Sequence, residues 1–570
     1  MRRFLRSLAV CALLALPVQW HRLAAPPRSP AAGVTYHVDS TADNPDSDVG
    51  TPVCLDHTGH CTLRAAIMQA NFTTGPNTIT VPSGVYVLNR AGDEDGAILG
   101  DLDVTDDLTI QGAGSDSTII NGNGLVTHDR VFQILASAAN VSLSDLTIRG
   151  GVVTATFAEG GGLLWEGAQT GQLHLSNVAV SGNQAYFGGG LFLQYDGSNN
   201  FGSVDLERIS ASANAASAAG GGIGIQFSGG ESDFLLNNSQ VYSNTAFQGG
   251  GIEVDGDPAF ASQRLIEHTD IFSNTATGHG GGIDTAAGSA TFPLLFFNNH
   301  LHHNQAPLGG AMFIQGRVVI SQTTLDQNSA SLQGGGLLIY NAAQPDIVQS
   351  TISENRAVTG GGIYLRRDAF NSAVVTMTNS TVSSNIASHD GGGVYLDRGT
   401  LNFFNTTLAA NQVVVPNGDP YAGAGGGIYI STTASVSAQS TLIGDNTHRY
   451  QTTPPVADDC YGPINPVVSN LIETTSNCQF VVLIFAHNIF GQDPKLGPLA
   501  FNGGATRTHA LLLGSPAIDA AETDTPGCTD SLGGGLSADQ RGFARPRGPH
   551  CDIGAVEYYP PGPFLPLIRR

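Results

Sequence analysis

The sequence predicts an all-β fold, a right-handed parallel β-helix. Three observations carry this: an Asn followed by a Gly run that recurs every 24 to 31 residues, apolar side chains at fixed offsets before each Asn, and no 3.6-residue period inside the unit. Asn183, Asn214, Asn244, Asn274, Asn304, Asn328, Asn355, Asn385 and Asn411 mark the units, ahead of glycine runs at Gly188, Gly220, Gly249, Gly280, Gly309, Gly334, Gly360, Gly391 and Gly425.

The chain opens with Arg2, Arg3 and Arg6 before an apolar run from Leu8 to Val18, then a small-residue and Pro stretch from Ala24 to Gly33. That is the pattern of a secretory leader, taken as residues 1–32. The run is too short to span a bilayer, and Cys11 lies inside it without a lipidation context. Residues 33–75 read as an N-terminal cap. Thr62 suits a helix N-cap, Leu63, Ala66, Ile67 and Ala70 form one apolar face, and Asn71 can end the helix.

Residues 76–450 read as the β-helix. Early, less regular strands are Thr78-Ile-Thr-Val81, Leu108-Thr-Ile110, Ser117-Thr-Ile-Ile120 and Val141-Ser-Leu143. In each regular unit an apolar residue stands three before the Asn (Val241, Ile271, Leu301) and another eight before it (Leu236, Ile266, Phe296). Alternation at period 2, then a jump of five across a polar turn, means two short strands. A third follows the glycines, as in Gly-Ile-Tyr364-Leu and Gly-Val-Tyr395-Leu. Three strands, no helix and glycine corners give a coil that stacks on the next at about 4.8 Å. Asn tolerates the left-handed conformation, and stacked Asn amides can bond coil to coil. Residues 451–558 form a C-terminal accessory region and 559–570 a tail.

Beyond Cys11, six cysteines remain: Cys54, Cys61, Cys460, Cys478, Cys528 and Cys551. Six allow 15 pairings. Pairing of sequence neighbours is the simplest, and an exported chain meets an oxidising compartment. The absence of CxxC spacing argues against a zinc site built from them.

Composition narrows the function. The 570 residues include 73 Gly and only 12% charged side chains, with a net charge of −23. Loss of the leader removes five Arg and no acid, moving the charge to about −28. Such acidity excludes nucleic acid and anionic membranes as natural partners. The chain is too apolar for disorder, and its Gly lacks the collagen period.

The segment Cys61-Thr-Leu-Arg-Ala-Ala-Ile-Met-Gln-Ala-Asn71, approached through Val38-Asp-Ser-Thr-Ala-Asp43, resembles the CSLREA-type domain of exported bacterial proteins. The Asn and Gly-Gly-Ala/Gly-Ile units resemble the repeats of polymorphic outer-membrane proteins. Asp493-Pro-Lys-Leu-Gly-Pro-Leu499, Asn502-Gly-Gly, Gly514-Ser-Pro-Ala-Ile-Asp519, Asp539-Gln-Arg-Gly542 and Cys551-Asp-Ile-Gly-Ala-Val-Glu557 resemble the choice-of-anchor Q domain. Together these resemblances imply a secreted or cell-surface β-helix protein. The final residues hold neither a sortase motif nor a membrane-length run.

For chemistry, the position after the glycine run and one further residue points outward. In order it holds Phe192, Gly224, Glu253, Asp284, Phe313, Leu338, Tyr364, Tyr395 and Tyr429. Stacking brings Glu253 beside Asp284 and lines up an aromatic stripe from Phe313 to Tyr429, a surface suited to sugar rings or protein partners. Ca²⁺ is the candidate cation, with ligands from Asp39, Asp43, Asp46 and Asp48, or from Asp93, Asp95, Asp101 and Asp103. His300, His302 and His303 are candidate metal ligands, because His300 and His302 share a strand face. A β-helix hydrolase needs clustered carboxylates with a neighbouring His. His268-Thr-Asp270 and Gly278-His-Gly280 resemble parts of the polygalacturonase pattern, whose full Asn-x-Asp, Asp-Asp, His-Gly, Arg-x-Lys series is missing. Arg366-Arg-Asp368 is the best cationic group on the coils. The expected role is a monomeric, non-enzymatic adhesion, binding or envelope protein that meets an extracellular glycan or surface protein. The alternative is a polysaccharide lyase or glycoside hydrolase.

Overall fold

The computed structural model describes residues 33–92, 94–167, 170–195, 202–227, 233–256, 263–285, 292–366, 373–420, 423–481, 487–521, 528–529 and 533–560. The leader with Cys11, Asp93 of the calcium candidates, Arg367 and Asp368 of the cationic group, and the last ten tail residues lie outside the described residues.

The chain is a right-handed β-helix of about 12 turns with very little helix. Each regular coil has four short strands rather than the three expected. In one coil these are Asp233–Asn237, Gln240–Tyr242, Thr245–Gln248 and Ile252–Asp255. The strand missed from sequence lies between the Asn and the glycines. It sends only one small side chain inward per coil, such as Ala246, Ala276 or Ala306, each nearly buried. First, second and fourth strands hydrogen-bond into a 41-stranded sheet, and third strands into one of 11. Coil-to-coil pairing is parallel throughout the repeats. Leu236 pairs with Ile266, Val241 with Ile271, and Ile252 with Ile283. These residues face the interior and are fully buried, each contributing about 1.5–3 kcal/mol.

The corners explain the sequence signature. The Asn ladder is buried and continuous: the Asn274 side chain donates to Val241 O (2.8 Å) and Asn304 Oδ1 (3.0 Å), and its Oδ1 accepts from the backbone N–H (3.0 Å) and amide (3.0 Å) of Asn244. The left-handed conformation belongs to the residue before each ladder Asn, such as Ser243 (φ 55), Ser273 (φ 55) and His303 (φ 55), and not to the Asn itself. A second polar ladder sits at the turn between first and second strands, where Thr269 N donates to Asn299 Oδ1 and Asn299 N to Thr323 Oγ1.

The solenoid begins before its cap, since Thr35–His37 pairs with Asn77–Thr80. The helix Leu63–Phe72 is inserted in this first turn. Thr62 caps it by accepting from Ala65 N, and Leu63, Ala66, Ile67 and Ala70 are buried as expected. Asn71 does not end the helix, which runs to Phe72 with Thr73 at its C-cap. Its side chain instead binds Asp103 O and Thr105 N, pinning the next coil. At the other end, stacking continues past residue 450 through Leu471–Ile472 to Ile489–Phe490.

The chain then folds back along the rod. A hairpin of Leu496–Ala500 and Thr508–Leu511 leads into a small apolar core of Leu511, Ala517, Cys528, Cys551, Ile553 and Val556 against Leu442 and Leu471. This region covers the outward side of the second strands. Thr351 Oγ1 donates to Arg507 O, Thr381 Oγ1 to Gln540 Oε1, and Ala555 N to Thr407 Oγ1. Disulfides join Cys54 to Cys61, Cys460 to Cys478, and Cys528 to Cys551, with Cα–Cα distances of 5.1, 5.2 and 5.9 Å. Sequence neighbours are therefore paired.

Candidate functional site

The first glycine of each run has a positive φ, +54 at Gly249 and +65 at Gly280. This reverses the chain sharply and makes the corner between third and fourth strands re-entrant. The end of each third strand then lies over the outward side chain of the fourth. The outward ladder of the fourth strands runs beneath these corners.

The register reproduces the expected order. Phe192, Gly224, Glu253, Asp284, Phe313, Leu338, Tyr364, Tyr395 and Tyr429 are successive partners. The column extends further both ways, up through Leu164 and Gln133 to Asp103, and down to Tyr461. Most of its members are buried: Glu253 is 8% exposed, Asp284 0%, Phe313 4% and Tyr364 5%. The aromatic stripe is interrupted by Leu338, which packs with Phe313 and Tyr364. Beyond it Tyr364, Tyr395, Tyr429 and Tyr461 stack face to face at 5.0, 4.8 and 4.9 Å. Burial pushes the Tyr364 phenol up to about 12. Arg366, the described member of the cationic group, lies over the Tyr340 ring.

Gly224 leaves a gap in the ladder between Phe192 and Glu253. A cavity of about 120 Å³ opens there, lined by Glu159, Phe192, Gln226, Gln248, Glu253 and Asp255 among others. Behind it runs a polar relay. The Gln248 amide donates to His279 Nε2 (2.8 Å), and His279 Nδ1 then donates to Asp284 Oδ2. His279 also packs on the Phe313 ring at 4.3 Å. Asp284 is the register neighbour of Glu253. Burial, then the charges of Asp284 and Asp255, hold the Glu253 carboxyl well above the usual range. Burial raises Asp284 too, while its bond to His279 counteracts the shift. Glu253, which has no such bond, is the more strongly raised of the pair. Its Oε2 is buried without a hydrogen-bond partner. Asp255, two residues on along the same face, is exposed.

Sequence reasoning places Glu253 beside Asp284 but does not bring His279 to them, and it misses Gln248, Asp255 and Glu159. Asp255 was readable as the i+2 partner of Glu253 on one strand. Gln248 and Glu159 were not, because only the re-entrant corner brings third-strand ends over the fourth.

The calcium candidates are spread among other partners. Asp43 pairs with buried Arg64 (2.7 Å), Asp39 accepts from Cys61 N, Asp46 from Asp48 N and Leu55 N, and Asp48 from Gly50 N. Asp101 lies 3.4 Å from Arg130, and Asp103 accepts from Ala97 N. Among the described residues, no three of these acids bring carboxylate oxygens within 4.8 Å of one another. His268 does not line that cavity and lies beside Glu267.

A family model described as the right-handed β-helix region matches residues 261–447. Among curated proteins none matches the chain. Two solved structures are similar. One is the catalytic domain of a GH87 α-1,3-glucanase in complex with tetrasaccharides, at 12% identity and TM-score 0.35, with 82% of this chain and 71% of that one covered. The other is pectate lyase Pel9A, at 13% identity and TM-score 0.26, with 93% and 98% covered.

Proposed function

We propose that the protein is an exported, glycan-active β-helix protein that cleaves a glycosidic bond by general acid–base chemistry at the cavity beside Glu253. The observation that carries this is Glu253, a buried carboxyl beside a second buried acid and held well above its usual range, in the wall of a cavity also lined by exposed Asp255. Glu253 serves as proton donor to the leaving oxygen, and Asp255 as the base that activates water. Alternate residues on one strand stand about 6.7 Å apart. That is the spacing of their backbone positions, from which the two carboxyls can stand roughly 6.5–9.5 Å apart, as in inverting glycosidases. Asp284, oriented by His279 and Gln248, supports the protonated state of Glu253. The three disulfides suit an oxidising, extracellular setting, and no helix among the described residues is long and apolar enough to cross a membrane.

The test is a polysaccharide panel assayed for both new reducing ends and retention. Cleavage is expected with inverted anomeric configuration, and Glu253→Gln and Asp255→Asn should each lower the rate by about 10²-fold or more without changing the circular dichroism. A second reading, glycan binding without cleavage, has its own support in the four-tyrosine stack, whose last ring at Tyr461 is 39% exposed. It is the answer if no polymer is cut while Tyr429→Ala/Tyr461→Ala abolishes retention of one.

A further inference from the structure

A different face of the rod carries a second constellation. The second strands present two outward columns. In one, Asp270 pairs with His300, and in the other, Phe272 with His302 and then His302 with Asp326. From Asp326 onward the C-terminal region covers this face, through Arg507 on Asp326 Oδ2 (2.8 Å) and Ser353 (2.9 Å). Asp270, His300 and His302 stand just outside that edge.

Their geometry is that of ligands around a common point. Asp270 Oδ1 lies 3.0 Å from His302 Nε2 and 3.8 Å from His300 Nδ1. The oxygen is buried yet accepts no hydrogen bond, so the close approach to His302 is not a directed one. One atom from each of the three residues falls within 4.8 Å of the others. Tetrahedral ligands about 2.0–2.1 Å from zinc stand roughly 3.3 Å apart, between the two measured separations.

The far sides of the imidazoles are also held. His300 Nε2 donates to Asp326 Oδ1 (2.9 Å), and Arg507 anchors that carboxylate. His302 Nδ1 lies 2.8 Å from His303 Nδ1, and the His302 ring stacks on Phe272 at 5.0 Å and 1°. A carboxylate on the outer nitrogen of a ligand imidazole fixes its tautomer and raises its basicity.

We propose that Asp270, His300 and His302 form a divalent-metal site of zinc type, with Asp326 as the positioning residue behind His300 and the fourth coordination position open to water. Two imidazoles and one carboxylate favour zinc over calcium, which takes six to eight oxygens. Ca²⁺ sites were expected elsewhere in the sequence; this one rests on nitrogen donors.

The test uses the untagged full chain, stripped with chelator and titrated with Zn²⁺ by calorimetry and metal analysis, with Co²⁺ as a spectroscopic probe. One Zn²⁺ per chain is expected, with visible ligand-field bands from Co²⁺. His300→Ala/His302→Ala and, separately, His302→Gln should abolish both signals. Asp326→Asn should weaken binding by about 10–100-fold while keeping the Co²⁺ bands, and Glu253→Gln should leave binding unchanged. An unaltered melting temperature shows that each variant is folded. Equal zinc uptake by wild type and His302→Gln, or no uptake by wild type, overturns the proposal and leaves ordinary surface His–Asp pairs.

Discussion

The Asn274 side chain makes four hydrogen bonds in a fully buried site, and removing its amide strands partners on two neighbouring coils. Asn274→Ala is expected to cost about 2–4 kcal/mol, read from the shift in a denaturant midpoint. The three glycines of a corner act differently, and alanine substitution should separate them. A Cβ on Gly281 would meet the carbonyl oxygens of Gly310 at 2.4 Å and Gln305 at 2.6 Å. A Cβ on Gly282 would stand 2.7 Å from Ala311 O and 3.1 Å from the Asn304 amide. Gly281→Ala should therefore lower the melting temperature more than Gly282→Ala. Ala311, which stands third in its own corner and is fully buried, already shows a methyl accepted there. At this scale much was legible. Counting from each Asn placed Glu253 beside Asp284. Their burial was not legible, because it follows from the positive φ at Gly249 and Gly280, which bends the third strand over them, and strand alternation carries no sign of that bend.

Among the elements, the C-terminal region is held by buried polar contacts more than by its small apolar core. Arg545 is buried with Glu557 Oε1 (2.8 Å), Asn379 Oδ1 (2.7 Å) and Gly554 O (2.7 Å). Arg545→Met leaves the buried Glu557 without its cationic partner, at a cost of about 3–5 kcal/mol. Hydrogen exchange should then speed up across residues 493–558 while amides of the coils between Asn183 and Asn411 stay protected. The sequence showed that this segment leaves the repeat pattern and contains paired cysteines. It did not show where the segment goes, because the partners Thr351, Thr381 and Thr407 read as ordinary outward strand positions. The third strand escaped notice for a related reason: one inward Ala per coil is too short an alternation to register.

Over the whole molecule, buried acids set the response to pH. Burial raises Asp103 and Asp459 to about 7 and Asp552 to about 6, and it raises Asp101, Glu253 and Asp284 as well. Unfolded, these groups titrate near 4, so between about pH 4 and 7 the native chain binds more protons than the unfolded one. Their stability is fully present below that window and is lost as pH rises through it. His509, which burial pushes down, and Asp56 and Asp326, whose hydrogen bonds and ion pairs outweigh their burial, act with the opposite sign. The raised groups are more numerous, so the melting temperature should be higher at pH 5 than at pH 8, and Asp103→Asn should flatten the difference. About 12 turns at roughly 4.8 Å make a rod close to 58 Å long. The chain's end is fastened well back along that rod, with Gln540 on Ser350 O and Thr381 and Ala555 on Thr407. A mechanical load applied beyond residue 558 therefore spreads over the coils from Ser350 to Leu471 and is not confined to the last coil. It pulls several hydrogen bonds at once, in shear, before any strand can be peeled from the end of the stack.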